Sequence, residues 1–165
     1  MTFNERAFLK ALVDQFTISD TDSRTSLVRF ETTASTEWDF GTYTGQSNAG
    51  VKTRIDGLVY KQGKTNIHQA LVDAKPILEA HDRGVYQTVV LVTDGRHNTG
   101  GDPVTAGAAL RAAGIQLFAV GIGTGVVTQD LVDITGDAAR VFESTFAQIV
   151  NDASAIAALL RQNVV

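Results

Sequence analysis

Thr65 and Asp94 are the side chains in this sequence with the strongest claim on chemistry. Asp94 ends the most apolar stretch, Val89-Val90-Leu91-Val92-Thr93-Asp94. A carboxylate there costs desolvation unless something positive or a hydrogen-bond donor meets it. Thr65 stands at the start of a helix-like segment. Each also has a plainer role: threonine as a helix N-cap, aspartate as a turn residue bonding the next backbone N–H groups. Residue type and spacing leave the two readings level.

Other arrangements fall away. Gly121-x-Gly123-x-Gly125 looks like a dinucleotide turn, but that fingerprint needs Gly-x-Gly-x-x-Gly and position 126 is Val126. Glycines giving a tight exit from a buried strand are the better account. A nucleotide-using α/β enzyme therefore rests on this turn alone. Gly63-Lys64-Thr65 ends like a phosphate-binding loop, yet the earlier glycine should stand where Leu58 does. Asp20-Thr21-Asp22-Ser23 has the Asp-x-Asp spacing of a calcium loop without its Gly or bidentate Glu, and reads as a solvated acidic turn. His68, His81 and His97 include no i, i+4 pair, so no zinc-binding helix exists. There is no Gly-x-Ser-x-Gly for a serine nucleophile and no cysteine for a thiol, a disulfide or an iron–sulfur cluster.

The elements that must position Thr65 and Asp94 follow from periodicity. Phe8, Leu9, Leu12, Val13 and Phe16 form a helical stripe running to about Ile18, with Thr2 and Glu5 at capping-box spacing. Residues 26–31 and 36–40 read as a hairpin. Val51, Ile55 and Leu58 suit a short helix; Ile67, Ala70, Leu71, Ala74, Ile77 and Leu78 suit a longer one that Pro76 should kink. Residues 85–92 and 115–120 are β-branched runs without alternation, the mark of strands covered on both faces. Asp102-Pro103 opens a helix that ends at Gly114. A short helix at 128–134, a short strand at 140–142 and a final helix over 145–160 complete the chain, the last with Phe146, Ile149, Val150, Ala153, Ile156 and Leu160 inward. Alternating strands and helices predict an α/β fold: a doubly wound, mostly parallel sheet with helices on both faces. Ligands of such sheets sit at the carboxyl ends of the strands, which are 32–35, 94–101 and 121–125 in this chain.

Composition agrees. The 165 residues suit one domain that buries roughly 70% of its unfolded surface. Hydrophobic residues make up 44% and charged residues 19%, the balance of a globular chain. Fourteen basic against eighteen acidic side chains give a net charge of −4, so no nucleic acid is expected as partner. No apolar run reaches the ~18 residues of a membrane span, and the polar first residues are no signal peptide.

Val90-Leu91-Val92-Thr93-Asp94-Gly95-Arg96, followed by Ala112-Ala113-Gly114-Ile115-Gln116-Leu117-Phe118-Ala119-Val120-Gly121-Ile122-Gly123, resembles the von Willebrand factor A family, the fold of integrin inserted domains. Gly63-Lys64-Thr65-Asn66-Ile67 with Ala70-Leu71 is similar to the turn carrying that family's metal-site threonine. Leu131-Val132-Asp133-Ile134 and Val141-Phe142 stand where the family has its last short helix and strand. The likeness covers nearly the whole chain. It implies a metal-ion-dependent adhesion site, in which an Asp-x-Ser-x-Ser loop, a threonine and a later aspartate hold Mg²⁺ or another divalent cation. By match, Thr65 is that threonine and Asp94 that aspartate. Arg96, His97 and Asn98 would form the ligand-binding rim.

The Asp-x-Ser-x-Ser loop is missing from the sequence, and with it the family's first, central strand. The expectation is therefore a single, N-terminally incomplete domain over 1–165, binding the cation weakly or not at all. Two strand edges would be bare: they must close on each other, accept a strand from another chain as a dimer or swap, or be completed by polypeptide outside these 165 residues. The implied function is a non-catalytic module for protein–protein or cell–matrix adhesion, meeting a protein ligand through an acidic side chain. Thr93-Asp94-Gly95-Arg96 is worded like extracellular or cell-surface members; an intracellular scaffold subunit of a multiprotein complex is the alternative.

Overall fold

The computed structural model describes residues 3–162. In chain order the elements are α1 (Phe3–Val13), β1 (Leu27–Phe30), β2 (Ala34–Trp38), α2 (Asn48–Asp56), α3 (Ile67–Ala80), β3 (Thr88–Thr93), α4 (Pro103–Ala112), β4 (Gln116–Ile122), α5 (Thr128–Thr135), β5 (Val141–Ser144) and α6 (Ala153–Gln162). Strands β3, β4 and β5 form a parallel sheet in that order, while β1 and β2 pair only with each other, antiparallel.

The period-two alternation of β4 divides the core. Leu117 and Ala119 face Leu71 of α3, Leu110 of α4 and Leu131 of α5 in one cluster. Phe118, Val120 and Ile122 face Phe8 of α1 and Ile156 of α6 in another. A third cluster joins Trp38 of β2 to Val51 and Ile55 of α2. Burial on both faces explains why β4 is an unbroken apolar run.

Strand β3 departs from that rule. Its pattern predicts a strand as buried as β4, but Thr88, Val89, Val90 and Val92 are only half-buried. One of its edges pairs with β4 and the other meets no strand, so solvent reaches side chains that a neighbour would cover. Val85 and Tyr86, assigned to this strand by pattern, precede it and are exposed.

Helix starts follow their caps. Asp102 accepts from Val104 N–H (3.0 Å) and Thr105 N–H (3.2 Å), with Pro103 at the first helical position. The Thr105 hydroxyl, which also donates to it, and Val104 N–H hold the Asp102 carboxyl below its ordinary pKa. Helix α3 runs unbroken through Pro76. Helix α1 ends at Val13 rather than near Ile18, and the Thr2 half of its expected capping box lies outside the described residues.

The C-terminal helix is the clearest correction. Periodicity starts it at 145, but residues 146–152 are turns and α6 begins at Ala153. The Ser144 hydroxyl donates to Asp152 (2.5 Å), a bond that holds the turn closed. Phe146 and Val150 are exposed rather than inward; the Phe146 ring lies over Gly123. Among the described residues, no helix is long and apolar enough to cross a membrane.

Candidate functional site

The loop leading into α3 is stitched to the ends of two strands. On the β1 side, Asn66 N–H donates to the Glu31 carbonyl (2.8 Å), and Asn66 Nδ2 donates to the Thr32 carbonyl (3.0 Å). Lys64 N–H donates to the Thr32 hydroxyl (3.1 Å). On the β3 side, Thr65 N–H donates to Asn98 Oδ1 (2.8 Å) and Asn98 N–H returns a bond to the Thr65 carbonyl (3.0 Å). His97 Nδ1 accepts from Ile67 N–H (3.1 Å), which leaves the ring proton of the neutral form on Nε2. Thr65 is thus held between the carboxyl ends of β1 and β3.

Both plain readings of the two key residues fail. The cap of α3 is Asn66, whose side chain accepts from Gln69 N–H (3.0 Å). Thr65 is one residue too early to cap, and among the described residues no hydrogen bond engages its hydroxyl. The turn after β3 is closed by Thr93, not by Asp94: the Thr93 hydroxyl donates to the Gly95 carbonyl (2.9 Å) and accepts from Gly95 N–H (3.3 Å). The Asp94 side chain is exposed, with no hydrogen bond or ion pair among the described residues. The Thr65 hydroxyl lies 3.5 Å from where a Cβ on Gly95 would sit, so Thr65 adjoins the residue that follows Asp94.

The proposed rim divides in the same way. His97 and Asn98 spend their side-chain acceptors on the entry to α3. Arg96 reaches sideways to Asp130 of α5, with Nε 2.8 Å from Oδ2. Asp20, in the acidic turn, accepts from Gly45 N–H, which makes it a loop tether.

Thr65 and Asp94 have the donor chemistry of a hard cation site: oxygen only, with one negative charge. They are two ligands, where a magnesium ion takes six in an octahedral shell. Among the described residues no group of three or more His, Asp or Glu side chains could hold a metal ion. Among the described residues, Thr65 and Asp94 offer two of the six oxygens such a shell takes.

Pattern does not single out Asn66 and Asn98 as positioning residues. Asn66 followed by Gln69 has the spacing of a cap, a signal that could have flagged the first. Nothing local marks Asn98. We expect Asn66→Ala to cost about 2 kcal/mol in urea denaturation, since it removes a cap and leaves the Thr32 carbonyl short of a donor.

Residues 3–162 match the family model described as von Willebrand factor type A domain. The chain belongs to this family. It is 31% identical over 140 residues to the collagen alpha-6(VI) chain of Mus musculus, covering 82% of this chain and 6% of that protein. It is 30% identical over 122 residues to Matrilin-3 of Mus musculus, covering 71% of this chain and 25% of that protein. The chain therefore spans a quarter or less of the length of these two relatives. Among solved structures, proximal thread matrix protein 1 from the mussel byssus, with a zinc-occupied MIDAS motif, is similar at a TM-score of 0.85. It shares 27% identity, over 95% of this chain and 40% of that one. As a von Willebrand factor type A domain, the chain has the fold expected from its sequence, and its kinship lies with proteins of matrices and threads.

Proposed function

We propose that this domain is a non-catalytic protein-interaction module of an extracellular matrix or adhesion protein, and that its recognition edge is the loop cluster around Thr65 and Asp94. One observation carries the reading: in a von Willebrand factor type A domain, the hydroxyl of Thr65 adjoins Gly95, the residue after Asp94, and neither that hydroxyl nor the Asp94 carboxylate has a hydrogen bond among the described residues. Relatives named as a collagen chain, a matrilin and a thread matrix protein support the matrix setting.

A divalent cation at this edge would use Thr65 and Asp94, and an acidic side chain of a protein partner would supply a further oxygen. Two protein ligands bind such an ion weakly. We expect Mg²⁺ to shift the backbone amide NMR signals of residues 63–66 and 94–98 with a dissociation constant of about 1 mM or weaker, and Asp94→Ala to abolish those shifts. Micromolar, stoichiometric binding, or shifts elsewhere, would overturn the placement. For the module itself, surface plasmon resonance against purified collagens is expected to show binding that the Thr65→Val, Asp94→Ala double variant loses. Binding that the double variant keeps would move the recognition edge away from these loops.

A further inference from the structure

Asp-Gly pairs occur twice in the chain, as Asp56-Gly57 and as Asp94-Gly95. In such a pair the side-chain carboxyl and the next amide nitrogen meet readily, because glycine brings no Cβ to shield its nitrogen. Ring closure between them makes a succinimide. Closure needs a carboxyl free to turn inward, an amide nitrogen free of a strong acceptor, and a backbone free to rotate between the two. The two pairs answer these conditions in opposite ways.

Asp56-Gly57 is locked. The Asp56 carboxylate takes the Lys10 ammonium at 2.6 Å. Gly57 N–H closes the end of α2, donating to the Thr53 and Arg54 carbonyls at 3.2 Å each. Asp56 itself is the last residue of that helix. Attack there requires the helix end to open and the ion pair to part.

Asp94-Gly95 is free on every count. Asp94 is exposed, and no hydrogen bond or ion pair holds its carboxylate among the described residues. Strand β3 ends at Thr93, so both residues lie in a bend outside the ladder. Gly95 N–H has the Thr93 hydroxyl as acceptor at 3.3 Å, longer than the usual range for such a bond. Space around Gly95 is open as well: the nearest atom to a Cβ there would be Thr65 Oγ1, at 3.5 Å.

We propose that Asp94-Gly95 is a site of spontaneous covalent modification, at which Asp94 converts to isoaspartate in the folded chain. In the first step Gly95 N attacks Asp94 Cγ. A C–N bond forms, and one carboxyl oxygen leaves as water with the amide proton and one proton from solvent. In the second step water adds to a carbonyl of the ring. Opening at Cγ restores aspartate. Opening at the backbone carbonyl carbon leaves the main chain running through Cγ, with a free carboxylate directly on Cα. The water taken up and the proton released match those of the first step, so mass and net charge are unchanged. This inference rests on the freedom of the turn, and not on any cation or partner at Thr65 and Asp94.

The product remakes the loop edge. One methylene enters the main chain after β3, and the carboxylate is shortened by one carbon. The Asp94 carbonyl, which lies against Gly125, becomes that carboxylate, so charge moves onto the loop between β4 and α5.

The test ages the folded chain at physiological temperature for weeks, in EDTA to keep stray cations off the carboxylate. Isoaspartate is read with protein isoaspartyl methyltransferase and labelled S-adenosylmethionine, and located by digestion and mass spectrometry. The expected result is accumulation at Asp94 about tenfold faster than at Asp56, where the end of α2 must first open. In urea, where both pairs are released, the two rates are expected to converge. Gly95→Ala, whose methyl would meet nothing closer than 3.5 Å, is expected to slow accumulation at position 94 and leave Asp56 unchanged. Aged chain is expected to show a second set of amide NMR signals over residues 93–98 and 121–127. Equal rates in the folded chain would overturn the proposal. So would a difference that persists in urea, because the folded turn would then play no part. A chain labelled at Asp94 without the second set of signals would overturn the remaking of the edge.

Discussion

Phe118→Ala is expected to lower stability by about 3–5 kcal/mol, read as a shift of the urea midpoint at unchanged slope. Phe118 is 1% exposed and sits in the middle of β4, the one strand of the parallel sheet with a neighbour on each side. Its ring shares a cluster with Phe8 of α1 and Ile156 of α6, and the Arg140 guanidinium lies 5.3 Å from its centroid. Truncation therefore removes apolar burial, opens a cavity beneath two helices and takes away a cation–π contact at once. Against a typical total of about 5–15 kcal/mol, that loss leaves a substantial unfolded population. Phe118→Leu, which keeps most of the volume, is expected to cost less than half as much. Equal losses for the two would mean that the ring's shape, and not the cavity, sets the cost.

Gly125→Ala is the second large effect, and it acts on the recognition edge. A Cβ at Gly125 would sit 2.3 Å from the carbonyl oxygen of Asp94, closer than real Cβ contacts come. The obstacle is backbone, so no side-chain rotation relieves it. Either the Asp94–Gly95 turn or the loop between β4 and α5 must move. We expect a loss of about 1–3 kcal/mol, with amide NMR shifts concentrated in residues 93–98 and 121–127. Gly57→Ala is the matched control: its φ of −75° suits any residue, and its Cβ would meet nothing closer than 3.5 Å. It is expected to be near neutral. Shifts spread evenly over the chain in Gly125→Ala would contradict a local clash.

Much of the fold is legible from local pattern. The Asp102-Pro103 start of α4, its end at Gly114 with φ 78°, and the β-branched run of β4 can all be read directly, because caps and buried strands are set by residues within a few positions of one another. The order of these pieces carries the family resemblance, and the family match over residues 3–162 bears it out. Legibility stops where a residue's role depends on what lies across space. Phe146 has helical spacing yet covers Gly123, because the bond from Ser144 to Asp152 closes a turn first.

Thr65 and Asp94 show the same division at the site. Their side-chain chemistry is plain from residue type, but whether they cap, turn or stand open is not. That answer belongs to Asn66 and Thr93, which take over the cap and the turn, and to Asn98, which lies 33 residues from Thr65 in sequence and holds it in place. The apolar run of β3 signals coverage on both faces and the resemblance implies a bare edge, but only the folded chain shows which of its side chains are left half-buried. Hydrophobic pattern reports what a segment would bury, a one-dimensional property of neighbouring residues. Pairing depends on which backbone groups arrive alongside, and those come from distant parts of the chain.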